Sequence, residues 1–338
     1  MQAYHLGSVG NMDGLVLRDT PTPEPGDYEV LVRVHARSLN FRDTLIMQGR
    51  YPLPAVSGVV PLSDGAGEVV AVGSKVKRFA IGDKVAGSYF PQWQSGRLTM
   101  EQAAEQYGCT RDGMLAEYVL ANEQGLVRTP QHLSYAEAAC LPCAALTAWS
   151  ALNGSRRIIP GETVLTIGAG GVALFATQFA RMAGARVIAI TSSAGKAAVL
   201  KEHGAHEVVN YVEHPDWDKQ VRALTAGRGM DHIVETGSIA TLPKSINSAA
   251  LDCQLTLIAA LASSAEAGDA LDPRIFAGLL NIRRVFVGSR NDFEEMNRAL
   301  ELHQLRPRID KVFAWEEARL AYQHFESRQH IGKVVIVG

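Results

Sequence analysis

Short apolar runs and frequent turn signals fill the first part of the chain, to about Asn122. Val30–Val34, Glu68–Val72 and Lys84–Ala86 are separated by clusters such as Pro23–Gly26 and Gly82–Asp83, a pattern that predicts a β-rich domain. From about Ser134 the period changes. Strand-like runs at Val164–Ile167, Val187–Thr191, Val208–Tyr211, His232–Glu235, Gln254–Ala259 and Arg284–Val287 alternate with helical stretches such as Ala173–Ala183 and Ala194–Glu202. Such alternation predicts an α/β domain, a parallel sheet with helices on both faces. Two more helical segments, Phe293–His303 and Trp315–Glu326, precede a final apolar strand, Lys333–Val337. Two domains follow, the nucleotide-type half in the second part of the chain.

The first strand of that half runs into Gly168-Ala169-Gly170-Gly171-Val172-Ala173 and then a helix, which satisfies G-x-G-x-x-G/A in the context that gives the pattern meaning. Gly168 permits the tight turn, Gly170 lets a pyrophosphate approach the backbone, and Ala173 allows close helix–strand packing. Gly171 and Val172 open the helix whose unpaired N–H groups would face the phosphates.

An NAD site usually carries an acid near the end of the second strand to bind the ribose 2′-OH. Here none occurs between Gly168 and Lys201; Glu202 is the first. The strand leads instead into Thr191-Ser192-Ser193-Ala194-Gly195-Lys196. Two hydroxyls and a lysine at a helix start suit a 2′-phosphate, so NADP(H) is the expected coenzyme.

Composition adds limits. With 338 residues, 47% hydrophobic, 20% charged and a net charge of −2, the chain has the profile of a globular protein and no electrostatic footprint for nucleic acid. No signal-peptide pattern opens it, and no apolar run reaches the length of a membrane helix. Four scattered cysteines predict no disulfide framework, so the expected setting is cytoplasmic.

The chain resembles the medium-chain dehydrogenase/reductase superfamily, and within it the zinc-free, quinone-oxidoreductase-like branch. Ser38-Leu39-Asn40-Phe41-Arg42-Asp43, Asp64-Gly65-Ala66-Gly67-Glu68-Val69, Gly82-Asp83-Lys84-Val85, Ala139-Cys140-Leu141-Pro142-Cys143, Leu146-Thr147-Ala148-Trp149, the glycine turn, Asn210-Tyr211 and Gly332-Lys333-Val334-Val335-Ile336 carry the resemblance in order along the chain. It implies a GroES-like catalytic domain over residues 1–126, completed by 292–338, with a Rossmann doubly wound sheet over 127–291 and the active site in the cleft. It also implies that Ser193, Lys196 and Tyr211 surround the 2′-phosphate, with Ser192 beside them. Asn40, Thr147 and the Thr236–Gly237 turn would lie along the nicotinamide ribose and ring, with Arg290 and Lys333 as further coenzyme contacts. Homodimers are common in such proteins.

Relatives with a catalytic zinc hold it through three side chains. Read onto this chain, those positions fall at Asn40, Ser63 and Cys143, of which only the last is a good zinc ligand. Between Tyr89 and Tyr118 Cys109 stands alone, so the four cysteines of a structural zinc are missing too. No metal is expected. Cys140 and Cys143 read as buried, inert thiols.

Without a Lewis acid, carbonyl polarisation falls to hydrogen bonds, which favours quinones or α,β-unsaturated carbonyls as small-molecule acceptors. The catalytic candidates are Asn40, Asp43, Tyr51 and Thr147. Asn40 offers an amide donor and Tyr51 a phenol, while Asp43 would orient Arg42 or the coenzyme. Tyr51 packing a loop and a structural Arg42–Asp43 pair stay open as alternatives. The segment Phe90–Met114 either shapes the substrate mouth or covers the barrel. An alcohol or aldehyde oxidoreductase, a free-standing enoyl-thioester reductase and a non-catalytic nucleotide-binding protein are the competing readings.

Overall fold

The computed structural model describes residues 1–238, 240–258 and 277–338. The chain divides into two compact units, Met1–Leu146 with Gly288–Gly338, and Thr147–Val287.

The first unit is built on β1 (Gln2–Leu6), β2 (Leu15–Asp19), β3 (Glu29–Ser38), β4 (Asp64–Val72), β5 (Lys84–Gly87), β6 (Tyr118–Asn122) and β7 (Leu126–Arg128). β1 and β2 form an antiparallel pair. β3 is the hub: it pairs with β4 on one side along Val30–Ser38, and with β6 over Glu29–Arg33. Its residues Val30, Val32 and Val34 join Val69, Val85, Leu126 and Tyr322 in one buried core. Each such burial is worth roughly 1.5–3 kcal/mol. The close β3–β4 approach depends on Gly67, where a Cβ would meet the Arg33 carbonyl oxygen at 2.0 Å.

The boundaries differ from the expected 126 and 292 because β7 pairs with β5, and the segment after it stays with the same unit. That segment holds a short helix, Tyr135–Ala138, and a π-helical turn, Leu141–Ala145, which runs on into the helix Leu146–Asn153.

Among its described residues the second unit carries six strands, β8 (Thr163–Ile167), β9 (Arg186–Thr191), β10 (Glu207–Asn210), β11 (Met230–Glu235), β12 (Ala249–Leu257) and β13 (Asn281–Arg284). They lie in the order β10-β9-β8-β11-β12-β13, and every pairing is parallel. This is the doubly wound order expected from the alternation. β8 is buried at all five positions, as a strand covered on both faces must be. Five of the six strand-like runs match to within a few residues. The strand expected at Arg284–Val287 lies earlier, at Asn281–Arg284, and Ala259, expected to end β12, lies outside the described residues.

The chain returns to the first unit through the helix Arg290–His303, started by Ser289, whose hydroxyl accepts from the Asp292 N–H. β14 (Ile309–Ala314) and the helix Ala318–Glu326 follow, and β15 (Lys333–Val337) pairs with β14 in parallel and with β3 antiparallel. Among the described residues no helix is long and apolar enough to cross a membrane.

Candidate active site and coenzyme site

In the second unit, the turn after β8 has the geometry the sequence requires. Gly168 sits at φ +88°, a conformation that favours glycine, and an added Cβ would lie 3.8 Å from Thr236 Oγ1. A Cβ on Gly170 would meet open space, so its backbone is approachable from solvent. Gly170 caps the helix Gly171–Met182, leaving the first-turn N–H groups of Gly171 and Val172 without helical partners. Beside this turn lies a cavity of about 360 Å³ lined in part by Gly168, Tyr211, Trp217, Thr236, Gly237 and Lys244.

Four expected coenzyme residues therefore line one cavity: Gly168, Tyr211, Thr236 and Gly237. Ser192, Ser193 and Lys196 stand at the end of β9 instead, where Ser193 caps the helix Ala194–Glu202 by accepting from the Lys196 N–H at 3.4 Å. Lys196 itself is half-buried, and Tyr211 is exposed. Thr191 Oγ1, at the end of β9, is buried with no hydrogen-bond partner. Thr147 is buried on the helix Leu146–Asn153.

Sequence reasoning missed the group that shapes the Thr236–Thr241 loop. Glu235, the last residue of β11, is buried, and burial pushes its carboxyl above the usual range. Its Oε1 accepts from the Gly237 N–H at 2.6 Å and the Thr241 hydroxyl at 3.0 Å, and its Oε2 accepts from Ser245. One carboxylate thus ties two points of a loop that lines the cavity to the helix Leu242–Ser248 that follows it.

The first unit holds a buried polar cluster of two parts. In the first, Lys333 of β15, 2% exposed, donates to the Leu39 carbonyl and to Asn40 Oδ1, both at 2.6 Å. Its Nζ lies 3.9 Å from Asp64 Oδ2. Asp64 accepts from the Ser63 hydroxyl at 2.7 Å and from the Cys143 N–H of the π-helical turn at 3.1 Å. Burial raises the Asp64 carboxyl, while Lys333 and Asn40 favour its charge. The Asn40 Nδ2 edge completes no hydrogen bond of good geometry.

In the second part, Arg42 lies between two phenol rings, 5.2 Å from the Tyr51 centroid and 4.8 Å from that of Tyr89. Its guanidinium donates to the Tyr107 carbonyl at 2.9 Å and sits 3.4 Å from an Asp43 carboxylate oxygen. The other Asp43 oxygen accepts from the Asn40 N–H at 2.8 Å. Burial raises Asp43 to about 6, against the pull of Arg42. Tyr51 donates to Gln106 Oε1 at 2.9 Å and lies 3.1 Å from the Tyr89 hydroxyl. Asn40, Asp43 and Tyr51 are thus brought into one cluster. Ser63, Asp64, Tyr89 and Gln106 join them; the Asp64 motif was visible in the sequence, but no local signal marked Tyr89 or Gln106 as polar partners.

Two expected contacts are otherwise engaged. Arg290 donates to the Gln124 side chain and carbonyl, and its backbone N–H to the Trp93 carbonyl, so it ties its helix to the β-rich unit. Lys333 is turned inward, toward Asn40. Cys140 is buried with its thiol pushed up to about 12, and burial also raises Cys143, which leaves both as weak nucleophiles at neutral pH.

The three positions at which relatives hold zinc therefore present an amide, a hydroxyl and a thiol, with the Lys333 ammonium hydrogen-bonded to the first. Such a set does not fit a divalent cation. Among the described residues no group of three His, Cys, Asp or Glu side chains is placed to hold a metal ion.

Residues 26–131 match the family model described as "Alcohol dehydrogenase GroES-like domain", and residues 171–301 that described as "Zinc-binding dehydrogenase". A zinc-type alcohol dehydrogenase-like protein of Schizosaccharomyces pombe is 40% identical over 97% of this chain and 96% of its own length. A quinone oxidoreductase of Pseudomonas aeruginosa is 32% identical over 98% of both. A crystal structure described as an NAD-dependent alcohol dehydrogenase superposes with a TM-score of 0.89 at 34% identity, covering all of both chains. The chain belongs to the medium-chain dehydrogenase/reductase superfamily, in its quinone-oxidoreductase-like branch, a family of oxidoreductases that use a nicotinamide coenzyme.

Proposed function

We propose that this protein is a zinc-independent, NADPH-dependent reductase of quinones or α,β-unsaturated carbonyl compounds. The observation that carries the reading is the Lys333 ammonium set against Asn40 and near Asp64, where a metal-dependent relative would need ligands. With no Lewis acid to polarise a carbonyl, the substrate must bring its own electrophilic carbon, and hydrogen-bond donors must meet the developing negative oxygen.

The bound coenzyme supplies the hydride. The turn at Gly168–Val172 would hold its pyrophosphate, and Ser192, Ser193, Lys196 and Tyr211 its 2′-phosphate, with the acid-free end of β9 favouring the phosphorylated form. Thr147, Thr236 and Gly237 would contact the nicotinamide half. Asn40 would donate through its amide, whose carbonyl edge is taken by Lys333. Tyr51 would hand a proton to the enolate or quinol oxygen, with Asp43 fixing the Asn40 backbone and holding Arg42. A homodimer in the cytoplasm, acting on a small molecule, completes the proposal.

The test is NADPH and NADH consumption with quinones, enones, enoyl-thioesters and aldehydes, with metal analysis on the same protein. Turnover of a quinone or enone by NADPH, retained after chelation, is the expected result. Activity confined to aldehydes and lost with zinc removal would overturn it, and coenzyme binding without turnover of any acceptor would point to a non-catalytic role.

A further inference from the structure

We infer that Tyr89 and Gln106 are positioning residues that act through Tyr51, turning its phenol into a usable proton donor. The inference rests on the reading of Tyr51 as the acid and extends it to two residues with no assigned role.

The geometry begins with the Gln106 amide. Its Nε2 donates to the Ala103 carbonyl at 2.7 Å, and its backbone N–H is taken by Thr110 Oγ1 at 2.9 Å. That fixes which way the amide points. Its Oε1 must face inward, where it meets three donors: the Tyr51 hydroxyl at 2.9 Å, the Tyr89 hydroxyl at 3.2 Å and the Arg42 guanidinium at 3.4 Å. The reverse orientation would set Oε1 against the Ala103 carbonyl and an amide nitrogen against the Arg42 guanidinium, which accepts nothing, so it is excluded. Gln106 thereby aims both phenol protons and lies within the Phe90–Met114 segment, which gives that segment a chemical role beyond covering the sheet.

The two phenols are not equivalent. Tyr89 is 1% exposed, whereas Tyr51 is only half-buried, so Tyr51 is the phenol with access to a reactant and to water. Their oxygens stand 3.1 Å apart. When the Tyr51 O–H bond breaks and its proton goes to the substrate oxygen, the Tyr89 O–H can turn from Gln106 to the new phenolate. A hydrogen bond to an anion is about twice as strong as one between neutral groups. Arg42, stacked on both rings, adds positive charge beside that oxygen. Bulk water then returns a proton to Tyr51 through its exposed edge.

The groups facing Tyr51 oppose one another, and burial, the largest influence, leaves its pKa above the ordinary value. Burial raises its pKa, Arg42 and the Tyr89 hydrogen bond lower it, and Cys109, itself raised by burial, opposes them weakly. Tyr89 is raised well above its ordinary value, chiefly by burial, and so keeps its proton to donate.

The experiment combines Tyr51→Phe, Tyr89→Phe and the double variant; each keeps the aromatic ring that stacks on Arg42. Spectrophotometric titration of the phenolates, taken as the difference between proteins with and without the Tyr51 hydroxyl, isolates Tyr51 without any turnover. Tyr89→Phe should move that Tyr51 step up by about one pH unit, the expected loss of a charge-assisted hydrogen bond. In single-turnover enone reduction it should slow the reaction about tenfold and raise the solvent deuterium isotope effect, and both effects should vanish in the Tyr51→Phe background. Gln106→Leu should also raise the solvent isotope effect. If Tyr51→Phe slows the reaction but Tyr89→Phe leaves the Tyr51 titration and isotope effect unmoved, this inference fails while the acid assignment stands. If Tyr51→Phe has no effect on turnover, the acid assignment fails and takes the inference with it.

Discussion

The coenzyme-type unit and the β-rich unit prepare their polar groups in opposite ways. In Thr147–Val287 the candidate coenzyme site is chiefly backbone: a glycine at φ +88°, a helix start without a side-chain cap, and a loop tied down by one carboxylate. Side chains there are more open to solvent, Lys196 half-buried and Tyr211 exposed. In Met1–Leu146 with Gly288–Gly338 the polar groups are buried side chains that answer one another: Lys333 with Asn40 and Asp64, Arg42 with Asp43, and Tyr51 with Tyr89 and Gln106. A site made of backbone suits a pyrophosphate, whose charge is the same in the oxidised and the reduced coenzyme. A site made of coupled buried side chains suits a step in which charge appears and disappears, because its donors need no rearrangement when that happens.

If that contrast is right, substitutions in the two units should separate cleanly. Lys333→Met should have the largest effect, because it leaves the Asp64 carboxylate buried without its cation. A loss of about 3–5 kcal/mol is expected in denaturant unfolding. A midpoint close to the parent protein's would show that Lys333 does not neutralise Asp64. Tyr51→Phe should slow single-turnover reduction by about 10²–10⁴ while leaving coenzyme affinity intact, the range for a general acid. An unchanged rate would reduce the phenol to loop packing.

On the other side of the comparison, Lys196→Ala should weaken NADPH by about tenfold to a hundredfold, the usual value of a hydrogen bond to a charged group, and leave NADH nearly untouched. Equal weakening of both would remove the 2′-phosphate from its neighbourhood. Glu235→Gln should weaken the two coenzymes together by several-fold, since it loosens a loop that neither distinguishes, at about 1 kcal/mol. A change confined to NADPH would mean that Glu235 acts through the phosphate instead.

The smallest effect concerns pH. Asp43 titrates near 6 in the folded protein against an ordinary value of 3.8, chiefly because it is buried. Between those values the folded chain holds a proton that the unfolded chain has released. This group's contribution therefore makes stability fall as pH rises from about 4 to 6, and leaves it level above. Asp43→Asn should flatten that slope in urea titrations across the window. A slope unchanged by the substitution would place the titration elsewhere.

The same contrast explains what could be read from the chain alone. The doubly wound sheet and the glycine turn are local: β8, Gly168–Ala173 and the helix after them are consecutive, and period and composition mark them directly. So is the Ser193 cap, four residues long. The buried cluster is non-local. Lys333 meets Asn40 across 293 positions, and Gln106 meets Arg42 across 64, so neither pair leaves a spacing to recognise. Asn40, Asp43 and Tyr51 were legible because they sit on one short helix and its exit. Their partners were not: Gln106 lies in a segment with no distinguishing pattern, and nothing local marks Lys333 as the partner of Asn40. The boundary expected at 126 missed for a similar reason. β7 is three residues long, and only its pairing with β5 assigns it.

Calorimetric titration of the folded protein with NADPH and with NADH tests the central claim most directly. Stoichiometric NADPH binding at least tenfold tighter than NADH is the predicted result. Equal affinity for the two, or no detectable binding of either, would contradict it.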